Sequence, residues 1–178
     1  MQIVKGIRRE YPDSPIVGVG GIVLLDDQVL LAKRAQEPGK GIWTLPGGMV
    51  ELGERLEEAL RREILEELSM KIRVCGLVKL VDKIVRDDAE RVRYHYVIAD
   101  YWAYPLSGEL RPGSDISDAR YVPLKEVHEL GLHQEVVETI LMADGMRQRM
   151  QMNRNSERIP GSFCGVSERV KTGRKPSS

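Results

Sequence analysis

The chain has 178 residues, and 27 Lys and Arg balance 27 Asp and Glu, so its formal net charge is zero. That length suits one domain with a substantial core, and the charge balance excludes the overall basic character that would make nucleic acid a main partner. Two cysteines, Cys75 and Cys164, supply neither a disulfide framework nor a metal-binding spacing. The first fifteen residues lack the apolar core of a signal peptide, and no apolar run approaches the ~18 residues of a membrane helix. A cytoplasmic protein with no membrane partner is expected.

Residues 1–15 are polar, contain Pro12 and Pro15, and read as an arm, expected to pack on a partner subunit. Residues 16–146 read as the domain proper. Ile16–Leu25 and Val29–Lys33 are apolar β-type runs joined by Asp26-Asp27-Gln28, a hairpin pattern. The glycines of Gly18–Gly21 fall inside a strand and lack the third glycine of a dinucleotide loop. Gly39-Lys40 is followed by Gly41 and not Ser or Thr, which excludes a Walker phosphate loop. Gln36–Gly41 is a loop and Ile42–Leu45 a short strand, with Trp43 a packing residue. Leu45-Pro-Gly-Gly forms a tight loop that can aim backbone groups at one point.

Downstream, Ile72–Val85 reads as a strand, Asp87–Glu90 as a turn, and Val92–Tyr104 as a long strand in which His95 is structural. Pro105–Gly113 is a loop, Asp118–Val122 the final strand, and Leu124–Leu130 and Gln134–Met146 are helices. Residues 147–178 carry a local excess of +6 in charge and lose apolar periodicity. They read as a basic, disordered tail. Strands, an inserted helix, more strands and then helices suit a mixed β-sheet covered on both faces, an α/β class.

The unusual stretch is Gly47–Met70. No Pro or Gly interrupts Glu54–Leu68, and Leu56, Ala59, Leu60, Ile64 and Leu68 recur at helical spacing. With Glu63 at zero on a helical wheel, Leu56, Leu60 and Ile64 fall at about +20°, +60° and +100°, while Glu67 falls at about +40° and Glu66 at about −60°. Two acids therefore lie within the apolar stripe and the third flanks it. Inward carboxylates repel one another and lose hydration, at several kcal/mol each unless they are paired or protonated. A hard divalent cation removes that penalty, and Mg²⁺ favours oxygen ligands, its own waters and substrate phosphates.

Gly48, Glu54, Arg62, Glu63, Ile64, Glu66, Glu67 and Met70 fit the Nudix box, G-x5-E-x7-R-E-U-x-E-E-x-G-U, and the chain resembles Nudix hydrolases over roughly residues 15–145. One position departs: Ser69 stands where the family has Gly. Ser there should strain the left-handed helix end by up to ~1 kcal/mol and leave the chemistry intact. The resemblance implies an α/β/α sandwich, with residues 48–70 as loop–helix–loop. It implies hydrolysis of a phosphoanhydride with Mg²⁺ or Mn²⁺ as cofactor. Glu63, Glu67 and the Gly47 carbonyl are the implied metal ligands, and Glu66 is a further ligand or a base. Glu54 and Arg62 organise the carboxylates, and Gly48 and Arg34 face the substrate, Arg34 toward its phosphates. Downstream, Asp115 and Asp118 are candidate bases.

The whole-chain pattern resembles the ADP-ribose pyrophosphatase branch, which implies a nucleotide sugar cut into a nucleoside monophosphate and a sugar phosphate. That branch often has a Pro some fifteen residues past the box, and Lys83–Asp88 contains none. The alternatives are a MutT-like nucleoside triphosphate pyrophosphohydrolase and a nucleotide-binding regulator without catalysis. The arm and the family together suggest a homodimer.

Overall fold

The computed structural model describes residues 3–4, 7–37 and 39–157. Two short strands, β1 (Ile3–Val4) and β2 (Ile7–Arg8), pair with each other. The domain then runs β3 (Ile16–Leu25), β4 (Gln28–Arg34), β5 (Trp43–Thr44), β6 (Gly47–Met49), α1 (Leu56–Leu68), β7 (Met70–Arg86), β8 (Val92–Gly108), β9 (Ile116–Pro123), a 3-10 segment Leu124–Glu129 and α2 (Gln134–Glu157). The seven-stranded sheet has the order β5-β4-β3-β8-β7, with β6 paired to β3 and β9 to β4. β3 and β8 are parallel and the other pairings antiparallel, so the sheet is mixed as expected.

The hairpin of β3 and β4 is paired only beside its turn, at Leu24–Val29 and Leu25–Gln28. Beyond that the strands part, and β6 takes the place beside Gly18–Gly20. Side chains alternate across the sheet, so each strand feeds two cores. Val19, Val23, Leu30 and Ala103 pack against Leu60, Ile64 and Leu68 of α1. Ile22, Leu24, Leu31 and Trp102 pack against Val137, Ile140 and Ala143 of α2. This is a sheet sandwiched between two helices.

Three expectations are corrected. The Leu45-Pro-Gly-Gly loop contains a strand, β6, because Gly47–Met49 finds free backbone partners on β3 where β4 has turned away. The expected loop 105–113 begins later, since β8 runs to Gly108. Pro105 is tolerated there because β3 pairs with β8 only as far as Ala103, and the ladder to β7 shifts register at Lys71/Ile72. The last helix continues eleven residues past Met146 to Glu157, into the stretch expected to be a tail. Met146 and Met150 pack on the α2 core, and Arg147 is only 7% exposed. Its guanidinium donates to Asp144, to the carbonyl of Asp26 and to Asp27. The remainder of that tail, 158–178, lies outside the described residues, as does Cys164.

The last residues of the arm pack on their own chain. The Tyr11 amide donates to the Arg93 carbonyl and its hydroxyl to Asp87, and Arg93 pairs with Glu10 at 2.8 Å. Asp87 also accepts from Arg91, and these donors hold its carboxyl well below the usual carboxylate range. No helix among the described residues is long and apolar enough to cross a membrane.

Candidate active site

Helix α1 buries Ala59, Leu60, Ile64 and Leu68, and Glu63 is buried along with them at 9% exposed. Glu67 is half-buried and Glu66 exposed, as the helical wheel predicts. The helix ends at Ser69, which adopts φ 58° and ψ 27° and donates its N–H to the Leu65 carbonyl. The left-handed cap therefore forms on Ser where glycine would be unstrained. Beyond it, the amides of Arg111 and Gly113 donate to the carbonyls of Leu68 and Glu67. These bonds satisfy carbonyls that the helix end would otherwise leave without partners.

Arg62 organises the acids. Its Nε and Nη2 grip both oxygens of Glu54 at 2.8 Å each, and its Nη1 donates to Glu63 at 2.7 Å and to Glu66 at 3.3 Å. Nη2 also donates to the Met49 carbonyl at 3.0 Å, tying α1 to β6. The bonds to Glu54 and Glu63 raise the guanidinium pKa further. Glu67 is anchored differently: its Oε2 accepts the Gly47 N–H at 3.2 Å. Burial, with the charges of Glu63 and Asp115, pushes its carboxyl up to about 7, while Gly47 and the charge of Arg34 oppose the shift. Arg34 and Asp115 thus act on Glu67 electrostatically, from β4 and from the loop before β9.

Asp118 is placed elsewhere. It lies opposite Lys33 in the ladder, whereas its neighbour Ala119 packs with the α1 core. Alternation along the strand turns Asp118 to the other face of the sheet. His95 bonds Asp82 across the β7–β8 hairpin, and Trp43 packs on the α2 core beneath Arg120.

Two contributors were missed from the sequence. Gln36 donates to Asp115 at 2.8 Å and fixes that carboxyl. Glu51 approaches Arg62 at 3.9 Å. Neither sits in a motif; only the fold brings loop 35–41 against the loop before β9.

Gly48 is defined by what lies over it. A Cβ there would fall 2.4–2.6 Å from the Glu63 carboxyl atoms. The clash is with the tip of a flexible side chain, so Gly48→Ala should fold, losing about 1 kcal/mol or less, while the carboxyl is driven from its place. Turnover should fall by at least about tenfold, the effect of roughly 1.4 kcal/mol on a barrier. Thermal melting beside steady-state kinetics checks this: a variant melting and reacting like the parent would show that the Glu63 position is unimportant.

Among the described residues, no three of His, Cys, Asp and Glu converge as a metal cage. The donors present are instead the two α1 carboxylates, Glu63 and Glu67, beside the backbone of Gly47. That set fits a hard cation that keeps several waters and takes substrate phosphates to complete its shell.

A mixed sheet lies between two helices, with the glycines of β6 set against inward carboxylates, the arrangement that the resemblance to Nudix hydrolases implies. The model of the NUDIX domain matches residues 15–141, and the chain belongs to the NUDIX family. A curated ADP-ribose pyrophosphatase from Methanocaldococcus jannaschii is 36% identical over 123 residues, covering 69% of this chain and 70% of that protein. A nucleoside triphosphatase, NudI, from Escherichia coli is 55% identical over 49 residues, covering 26% of this chain and 35% of its own length. Among solved structures, a MutT NUDIX hydrolase from Burkholderia pseudomallei superposes with a TM-score of 0.64 at 32% identity, covering 73% of this chain and 98% of that one. The protein is a Nudix pyrophosphohydrolase.

Proposed function

We propose that the chain hydrolyses, with Mg²⁺ or Mn²⁺, the pyrophosphate bridge of a nucleoside diphosphate joined to a second group. The best candidate is ADP-ribose or a similar nucleotide sugar, giving a nucleoside monophosphate and a sugar phosphate. The observation that carries the site is the pairing of buried Glu63 with Glu67, whose carboxyl is raised to about 7 by burial and by neighbouring acids. The support for the substrate is the ADP-ribose pyrophosphatase relative, matched over 70% of its length.

Glu63, Glu67 and the Gly47 carbonyl would hold the cation, with Glu66 adjoining. The cation would neutralise the phosphate oxygens and acidify a bound water. Arg34 points its charge at the same region and would meet a phosphate. Arg62 and Glu54 act at one remove, by holding Glu63 in place. Water adds its oxygen to one phosphorus, the bridging P–O bond breaks, and the proton passes to a carboxylate. Asp115, held by Gln36 and felt electrostatically by Glu67, is the base we assign. Glu66 is the alternative within the box. Asp115→Asn should therefore lower turnover and shift the acidic limb of the pH–rate profile, while Asp118→Asn should leave both unchanged. The reverse result would reassign the base.

Glu67 also links metal, pH and stability. Its folded pKa lies above the ordinary carboxylate value, so the metal-free folded state binds more protons than the unfolded chain between about 4.5 and about 7. Stability from this group is present below that window and lost as pH rises through it. Asp100, raised to about 6, works in the same direction. The metal-free melting temperature should fall from pH 5 to pH 8, and millimolar Mg²⁺ should restore it more at pH 8 than at pH 5. Scanning calorimetry with and without chelator measures this, and an Mg²⁺ effect independent of pH would refute the assignment.

A triphosphate reading is supported by the nucleoside triphosphatase relative NudI. A panel of ADP-ribose, other nucleotide sugars, dinucleoside polyphosphates and dNTPs, with product identification, separates the two. Sugar phosphate supports our reading, and pyrophosphate from a triphosphate supports the other. Tight binding without turnover across the panel would favour a regulator.

A further inference from the structure

The sheet face beneath α1 runs on beyond what the helix covers. Val19, Val23, Ala99 and Ala103 belong to the core packed on α1. On the last strand of the sheet, Leu80 and Leu77 stand opposite Ala99 and Tyr101. Farther along, Val17 and Asp82 flank Val97, and Ile84 stands opposite His95. Strand alternation keeps all of these side chains on the α1 side. Yet Val17 is 43% exposed, Leu77 44%, Leu80 61% and Ile84 47%.

A cleft of about 450 Å³ extends this strip from Val17. Its walls include Pro12 and Pro15 of the arm, Ile16 and Val50. Leu52 also borders it and is fully exposed. A projecting leucine beside an open apolar cleft is self-complementary, as a two-fold contact between identical surfaces requires. With Leu52 included, the strip exposes apolar area on the order of 500 Å², toward the top of what a monomer shows in one patch. The arm and the turn that rim it bring the face within reach of the ~800 Å² per partner of a standard interface.

Charge selects the occupant. The polar groups bordering the strip and cleft are paired within the chain: Asp82 with His95 at 3.1 Å, Arg93 with Glu10 at 2.8 Å and Arg8 with Asp13 at 2.7 Å. Glu51 is turned to Arg62 at 3.9 Å. These pairs leave no excess of one sign to recruit an oppositely charged partner or to repel a like surface.

We propose that this face is the interface of a two-fold homodimer, the Leu77–Ile84 strip and the cleft beside Leu52 of each chain being covered by the other chain. The interface touches the site at one remove. Leu52 lies in the turn where the Glu51 N–H donates to the Glu54 carboxylate at 3.1 Å, and Glu54 in turn is gripped by Arg62. Burying Leu52 against a second copy holds that turn, so assembly supports the acids. This link rests on the pyrophosphate reading of the site; the interface does not.

Analytical ultracentrifugation of the full chain, from nanomolar to high micromolar concentration, tests the interface. The parent should sediment as a dimer in the micromolar range. Leu80→Glu buries a carboxylate on each side of the axis and should raise the dimer Kd by at least about 100-fold. Leu52→Ser, at a fully exposed position, repeats the test without touching the sheet and should raise Kd by about tenfold or more. Leu141→Glu, on α2 across the sheet, should remain dimeric. A parent that is monomeric throughout overturns the proposal, as does a dimer that Leu141→Glu breaks while Leu80→Glu and Leu52→Ser leave it intact.

Turnover of ADP-ribose by monomeric Leu80→Glu should be several-fold below that of the dimeric parent. Equal turnover sinks the link to the Glu51–Glu54 turn and leaves the interface standing. A parent without turnover sinks the site reading, while sedimentation still decides the interface.

Discussion

Replacing Glu63 or Glu67 with glutamine is expected to remove nearly all metal-dependent turnover, by about 10³-fold or more. Glutamine keeps the size and one oxygen of glutamate but loses the negative charge that holds a divalent ion. The cation's stabilisation of developing phosphate charge amounts to several kcal/mol, and each 1.36 kcal/mol is a factor of ten in rate. Stability should respond in the opposite sense. Glu67 is penalised by burial and by the charges of Glu63 and Asp115, so metal-free Glu67→Gln should melt no lower than the parent at pH 8. Kinetics over a magnesium titration, beside melting curves in chelator, reads both effects. Full turnover by either variant would refute the ligand assignment.

Arg62→Lys is expected to be damaging too, less in rate and more in stability, for a different reason. The guanidinium makes five hydrogen bonds: two to Glu54, one each to Glu63 and Glu66, and one to the Met49 carbonyl. A lysine ammonium has three donors on a flexible stem and cannot reproduce a planar fork. Glu54 and Glu63 would lose charge-assisted partners in a largely buried setting, at a cost on the order of 3 kcal/mol. For a domain of this size that lowers the melting temperature by roughly 10 °C. Turnover should also drop, by about 10- to 100-fold, because Glu63 is no longer fixed and a misplacement of about 1 Å costs that much. The decisive pattern is a joint loss, with magnesium affinity weakened beside stability. A variant that melts early yet binds magnesium and turns over normally would make Arg62 purely structural.

The sequence made the box helix legible because two independent periods overlapped there. Apolar residues at helical spacing set its inward face, and Glu63 and Glu67 broke the pattern on that same face. The structure bears this out in the buried Glu63, the half-buried Glu67 and the exposed Glu66. Ser69 was legible as well, because it stands where the family's glycine closes the helix in the left-handed conformation, and it adopts φ 58° there. What stayed hidden was decided between distant segments. Strand β6 exists because β4 leaves the side of β3, and nothing within Gly47–Met49 announces that. Helix α2 continues because Arg147 finds Asp144 and the Asp26–Asp27 turn, whereas its own stretch of sequence is polar and basic. Gln36 and Asp115 meet across two loops 79 positions apart. Asp118 looked equivalent to Asp115 on a linear chain, and strand alternation turns it away.

The parallel pairing of β3 with β8 has a consequence for how the molecule assembles. Ile16 lies beside Tyr96, eighty positions later, while β7 and β8 are joined by a short turn. Bringing the ends of so long a loop together carries an entropic cost that no contact offsets until both strands are formed. The β7–β8 hairpin and α1 draw on nearby residues, so topology predicts that pairing β3 with β8 is the slow part of assembly. Gly20 lies in that ladder and pairs with Gly47 on its other side, so the same long-range pairing also fixes the backbone that faces Glu67.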